Sequence, residues 1–77
     1  MKIKVIVTIK NDVLDPQGKA IKQTLNSMSF LNVEEVRQGK FFEININEND
    51  ETKAKSQVED MCKKLLANLV IEDYKII

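Results

Sequence analysis

The sequence predicts an α+β domain in which two helices cover one face of a four-stranded antiparallel sheet. Three observations support this prediction: stretches of alternating hydrophobicity, two stretches of helical periodicity, and the order strand, helix, strand, strand, helix, strand. Right-handed connections of helix length place both helices on the same side of such a sheet. The order is that of a ferredoxin-like βαββαβ sandwich, and 77 residues give room for one domain, residues 1–77.

The first strand is predicted over residues 2–10, where Ile3, Val5, Val7 and Ile9 alternate with more polar residues. The first helix is predicted over residues 16–28. Asp15 is a suitable N-cap, and Pro16 occupies the first helical position, where its missing N–H costs nothing. Apolar residues then recur at helical spacing at Ile21, Leu25 and Met28.

A hairpin is predicted next, with strands over residues 33–37 and 40–47. Gly39 lies between them and can supply the positive φ of a tight turn. Phe42, Ile44 and Ile46 share one face of the later strand, whereas Phe41 points to the other.

The second helix is predicted from a cap at Asn49 or Asp50 to the neighbourhood of Asn68. Its apolar stripe is Ala54, Val58, Met61, Cys62 and Leu65. Residues 69–77 are predicted to form the last strand, because they are rich in residues that favour strands. Neither face of this strand is clearly the apolar one, so the pattern leaves its core side open.

The sheet face away from the helices is predicted to mediate self-association. Ile6 and Phe41 lie on it, and Ile71 joins them on one of the two readings of the last strand. A core of this size seldom supplies more than about 3–5 kcal/mol without further support. With one cysteine and no cluster of metal ligands, oligomerisation is the support we expect, as a homodimer or a tetramer.

Composition excludes several classes of function. The chain has no histidine, which removes the commonest general base and any triad that depends on it. Twelve basic residues balance twelve acidic ones along the whole chain, so neither nucleic acid nor a membrane is an expected partner. No apolar run is long enough to span a bilayer, and we expect a cytoplasmic protein. Cys62 is expected to pack in the core. We predict no catalytic, metal or cofactor-binding residue.

Gly18 is unusual because it lies in the first turn of a helix, where glycine costs about 1 kcal/mol relative to alanine. Either another part of the backbone approaches it closely, or the start of the helix is loosely specified. The sequence favours neither alternative.

Three stretches together resemble one family. They are residues 15–21 at the start of the first helix, residues 36–40 at the hairpin, and residues 61–68 at the end of the second helix, followed by residues 70–74. The sequence resembles the small PurS-type subunit of phosphoribosylformylglycinamidine synthase over nearly its whole length. One difference is Leu69, where the family typically has proline, so the second helix has no proline to end it.

The resemblance implies a role in the glutamine- and ATP-dependent conversion of formylglycinamide ribonucleotide to formylglycinamidine ribonucleotide, a step of purine biosynthesis. This chain would be the non-catalytic assembly subunit of that ligase, bridging a glutaminase subunit and a large synthetase subunit. ATP and magnesium are expected in the synthetase subunit. Candidate contacts with these partners lie at the first helix start, the hairpin and the second helix end: Asp15, Gln17, Gly18, Arg37, Lys40 and Asn68.

Two other functions remain open from the sequence. A small regulatory domain that binds an amino acid has the same architecture, and fold alone does not separate the two. An RNA-recognition module is the weaker alternative, since only Phe41 of the adjacent phenylalanines could stack on a base.

Overall fold

The computed structural model describes residues 1–77. The strands are β1 (Lys2–Ile9), β2 (Gly39–Asn45) and β3 (Glu72–Ile76), and the helices are α1 (Pro16–Ser27) and α2 (Glu51–Met61). A π-helical segment, Cys62–Leu66, continues α2. No helix is both long and apolar enough to cross a membrane.

The sheet has three strands in the order β2-β1-β3, and both neighbours of β1 are antiparallel to it. The predicted four-stranded sheet is therefore wrong. The missing strand is residues 33–37, which pair with no strand and enter β2 without a turn or a bend. Gly39 does not adopt a positive φ. It is needed instead because a Cβ atom there would lie 2.5 Å from the carbonyl oxygen of Val7 on β1.

The core lies between α2 and one face of the sheet. Seven buried apolar residues form it: Ile3, Val5, Val7, Ala54, Val58, Cys62 and Ala67. The prediction that Cys62 is a core residue is confirmed. None of the seven belongs to α1, whose only buried residue is Gly18. The expected layer of two helices on the sheet is therefore supplied by α2 alone.

The π-helical segment changes which side chains of the second helix point inward. Leu65 was expected on the apolar stripe, but it is 83% exposed. A π-helical turn holds more residues than an α-helical one, so the residues that face the core lie further along the chain than α-helical spacing predicts. Leu66 is half-buried against the core and Ala67 is buried. The helix ends at Leu66, two residues before the predicted end.

The last strand is shorter than predicted, because residues 69–71 form a turn. Its cross-strand pairing settles which side faces the core. Val7 lies opposite Tyr74 and Val5 lies opposite Ile76, so both face α2. Four residues consequently lie on the other side, with Ile6: Ile71, Asp73, Lys75 and Ile77. We call that side the open face.

Candidate functional site

Asp15 joins two parts of the chain that are distant in sequence. Its Oδ1 accepts a hydrogen bond from the Gly18 amide at 2.9 Å, which caps α1. Its Oδ2 accepts one from the Gln38 amide at 2.6 Å, just before β2. Asp15 is 4% exposed. The bonds from Gln38 and Gly18 hold the pKa of Asp15 below its ordinary value.

Gly18 allows α1 to pack against the segment that leads into β2. A Cβ atom at this position would clash with the carbonyl oxygen of Val36 and would lie 2.9 Å from Oδ2 of Asp15. Of the two alternatives for Gly18, close backbone approach is therefore the correct one. Residues 15–38 leave the sheet and return to it, with both ends held by Asp15 and Gly18. We call residues 15–38 the arm.

Arg37 is turned back towards the sheet. Its Nη2 donates hydrogen bonds to the carbonyl oxygens of Ile9 at 3.1 Å and Lys10 at 2.7 Å, where β1 ends. Its Nε lies 4.0 Å from a carboxylate oxygen of Glu35. Arg37 therefore anchors the arm to β1 and does not lie in a hairpin turn, where the sequence analysis placed it.

Lys40, Glu72 and Asn68 form one connected cluster beside the arm. The Lys40 ammonium lies 3.7 Å from Oε2 of Glu72, and Oε1 of Glu72 accepts a hydrogen bond from the Asn68 amide at 2.7 Å. Glu72 is almost fully buried. Glu72 is not among the site residues predicted from the sequence. One feature of the sequence could have indicated it: Glu72 places a carboxylate on the same side of the last strand as Tyr74 and Ile76.

Two clefts adjoin these residues. The smaller one, of about 90 Å³, brings Gln17 together with Lys40 and Glu72. The larger one, of about 290 Å³, lies between α1 and the return segment of the arm and is lined by Lys19, Lys22, Glu34 and Arg37, among others. No group of histidine, cysteine, aspartate or glutamate side chains is arranged to hold a metal ion.

The six candidate contact residues therefore converge on one end of the sheet. Asp15, Gly18 and Arg37 form the base of the arm, Gln17 and Lys40 line the small cleft, and Asn68 is joined to them through Glu72. Asp15 and Gly18 are buried, whereas the other four are exposed. We call the exposed four, Gln17, Arg37, Lys40 and Asn68, the end surface.

The expected apolar residues do share the open face. Ile6 and Phe41 are directly opposite each other on β1 and β2, and they are 37% and 55% exposed. Ile71 immediately precedes β3 and Ile77 immediately follows it. Main-chain hydrogen bonds with Lys10 and Lys4 continue the ladder to these two residues, so both lie on the same side. Charged residues, including Lys4, Glu43 and Lys75, surround them. This is an apolar centre within a polar rim.

Comparison with known proteins gives a consistent result. The sequence model of the family PurS, described as phosphoribosylformylglycinamidine (FGAM) synthase, matches residues 2–77. The PurS subunit of phosphoribosylformylglycinamidine synthase from Bacillus subtilis is 49% identical over 74 residues, covering 96% of this chain and 87% of that protein. The corresponding subunit from Methanocaldococcus jannaschii is 48% identical, covering 97% of this chain and 90% of that protein.

Solved structures agree with the sequence comparison. A crystal structure of Bacillus subtilis PurS superposes with a TM-score of 0.89 at 47% identity, covering 99% of this chain and 94% of that chain. A chain in the structure of PurLQS from Thermotoga maritima superposes with a TM-score of 0.85 at 29% identity, covering 100% of this chain and 96% of that chain. Because the match extends over the whole chain in both sequence and structure, this chain belongs to the PurS family.

Proposed function

We propose that this chain is the non-catalytic assembly subunit of a phosphoribosylformylglycinamidine synthase. The observation that carries the proposal is the family match over residues 2–77, together with the full-length likeness to a chain of PurLQS. In this role the chain brings a glutaminase subunit and a large synthetase subunit together. Ammonia released from glutamine by the first is then used by the second, which binds ATP and magnesium. The chain itself binds neither and acts in the cytoplasm.

The end surface is the part of the chain that we assign to these partners. Its four residues come from four different parts of the sequence and meet at one end of the sheet. The buried bonds of Asp15 and the close approach at Gly18 hold the surface in place from within. Residues positioned on a rigid base in this way lose little entropy when a partner binds.

The open face is assigned to self-association, as a homodimer or a tetramer. Its apolar residues are exposed in the single chain, and a charged rim surrounds them. Burying Ile6 and Phe41 against a second copy would remove apolar area from water without disturbing the side of the sheet that faces α2.

Assembly from purified subunits tests the proposal. The synthetase and glutaminase subunits from the same organism are mixed with and without this chain, and the mass of the complex is measured by light scattering after gel filtration. We expect the synthetase and glutaminase subunits to elute as one complex only when the chain is present. A synthetase and glutaminase that associate equally well without it would contradict the proposal.

A further inference from the structure

The larger cleft lies within the arm, beside the residues that we assign to the partner subunits. The start of α1 forms one wall, and the return segment, residues 34–37, forms the other. Its volume is about 290 Å³, just below the range of roughly 300–1,000 Å³ that is typical of pockets for drug-sized molecules. The size of the cleft therefore suits a small metabolite better than a nucleotide or a peptide.

Six charged residues line this cleft, and three of them already have partners within the chain. The two carboxylate oxygens of Asp15 accept hydrogen bonds from main-chain amides. Arg37 donates hydrogen bonds to two carbonyl oxygens at the end of β1, and its guanidinium lies beside the carboxylate of Glu35. These three side chains therefore hold the arm together and are not available to a ligand.

The other three charged residues of the lining are Lys19, Lys22 and Glu34. The ion pairs of the chain involve none of them. Lys22 is only partly exposed, although no carboxylate lies within ion-pair distance of it. Lys19 and Lys22 are three positions apart on α1, so their side chains leave the same face of the helix. The cleft thus presents two unpaired cations on one wall and one unpaired carboxylate on the other.

These charges are the reverse of those on a dicarboxylic amino acid. Such a molecule carries two carboxylates, which match the two lysines, and one ammonium group, which matches Glu34. A phosphate ion would instead place a like charge near Glu34, and a simple amine would place one near the lysines. Leu14 and Val36 complete the lining, and the methylene groups of an amino-acid side chain can pack against them.

We propose that this cleft binds a free dicarboxylic amino acid, with its carboxylates at Lys19 and Lys22 and its ammonium group at Glu34. Glutamate is the amino acid that we assign, because it is what remains of glutamine when ammonia is released. This choice of ligand rests on the proposed function, whereas the site itself does not, since none of the three residues belongs to the end surface. Bound glutamate would join α1 to the return segment and so stabilise the arm.

Titration of the full-length chain with L-glutamate, followed through its amide chemical shifts by NMR, tests the site. We expect saturable shifts in residues 14–22 and 33–37 and none in α2. Glutarate lacks the ammonium group and γ-aminobutyrate lacks the α-carboxylate, so each should bind at least about tenfold more weakly than glutamate. Inorganic phosphate should not compete. Shifts that do not saturate, or an affinity for glutarate or phosphate equal to that for glutamate, would overturn the proposal.

Two variants test the two walls of the cleft separately. Lys22→Gln should weaken the binding of both glutamate and glutarate by about tenfold, because each ligand presents a carboxylate to it. Glu34→Gln should weaken glutamate but not glutarate, which has no ammonium group. Lys53→Gln, exposed on α2, is the control and should change neither affinity. An unchanged ratio of the two affinities in Glu34→Gln would overturn the proposal. It would leave the assembly function intact, because that function is measured with the synthetase and glutaminase subunits.

Discussion

Asp15 and Gly18 act together at the base of the arm. The carboxylate of Asp15 holds the amides of Gly18 and Gln38, and the missing side chain of Gly18 makes room for the Val36 carbonyl. A cap at Asp15 could be predicted from the following proline. Its second bond, to a residue 23 positions away, could not, because no local pattern encodes it.

Substitution of Gly18 tests the close approach. Gly18→Ala would gain about 1 kcal/mol of helix propensity at an ordinary position. Here we expect a net loss of about 1–3 kcal/mol in the free energy of unfolding, because the new methyl group overlaps the Val36 carbonyl. Urea denaturation measures the change, with Lys19→Ala as an exposed control on the same turn. Stabilisation by Gly18→Ala would show that the arm is not closed at its base.

The lowered pKa of Asp15 predicts a dependence of stability on pH. A carboxylate whose pKa is lower in the folded state stabilises the fold above its unfolded pKa, and this stabilisation is lost as pH falls through the folded value. The protein should therefore lose more stability than Asp15→Asn between roughly pH 6 and pH 3. Urea midpoints at several pH values measure this. Parallel curves for the two proteins would contradict the assignment.

At the scale of elements, local sequence patterns correctly predicted the helices and strands that depend mainly on local interactions. β1, α1 and the start of α2 lie where alternation, Pro16 and the acidic cap place them. The predicted strand at residues 33–37 is wrong, because contacts with Asp15 and Gly18 hold this segment along the arm. The predicted end of the second helix is also wrong. Hydrophobic periodicity assumes a uniform helix, whereas the π-helical turn changes which residues face the core.

The π-helical segment predicts different roles for two adjacent leucines. Leu66→Ala should lower the free energy of unfolding by about 1–2 kcal/mol, because Leu66 packs against the core. Leu65→Ala should change it by less than about 0.5 kcal/mol, because Leu65 is exposed. Each variant is the other's control in urea denaturation. A larger loss for Leu65→Ala would mean that the helix continues with regular α-helical periodicity.

The end surface makes a matched prediction about partner binding. Gln17 and Gln23 are both exposed on α1, but only Gln17 lines the small cleft beside Lys40. Gln17→Ala should weaken assembly with the synthetase and glutaminase subunits by about 1–3 kcal/mol. Gln23→Ala should leave it unchanged. Affinities from biolayer interferometry compare the two, and equal values would place the contact elsewhere.

The whole molecule is an extended chain with a small core on one side of its sheet. Seven buried apolar residues hold α2 to the sheet, and none of them belongs to the arm, the end surface or the open face. The resemblance in sequence identified the family and so the role, independently of the error in strand number. Nothing in the sequence indicated the extended shape, because the arm is held by contacts of Asp15, Gly18 and Arg37 with residues far away along the chain.

The rate of glutamine-dependent synthesis of formylglycinamidine ribonucleotide tests the central claim most directly. The chain is titrated into fixed amounts of the synthetase and glutaminase subunits, with ATP, magnesium and formylglycinamide ribonucleotide in excess. An assembly subunit should raise the rate until it reaches a fixed ratio to the synthetase and then have no further effect, while the rate with added ammonium salt changes little. A glutamine-dependent rate that does not change when the chain is omitted would contradict the account.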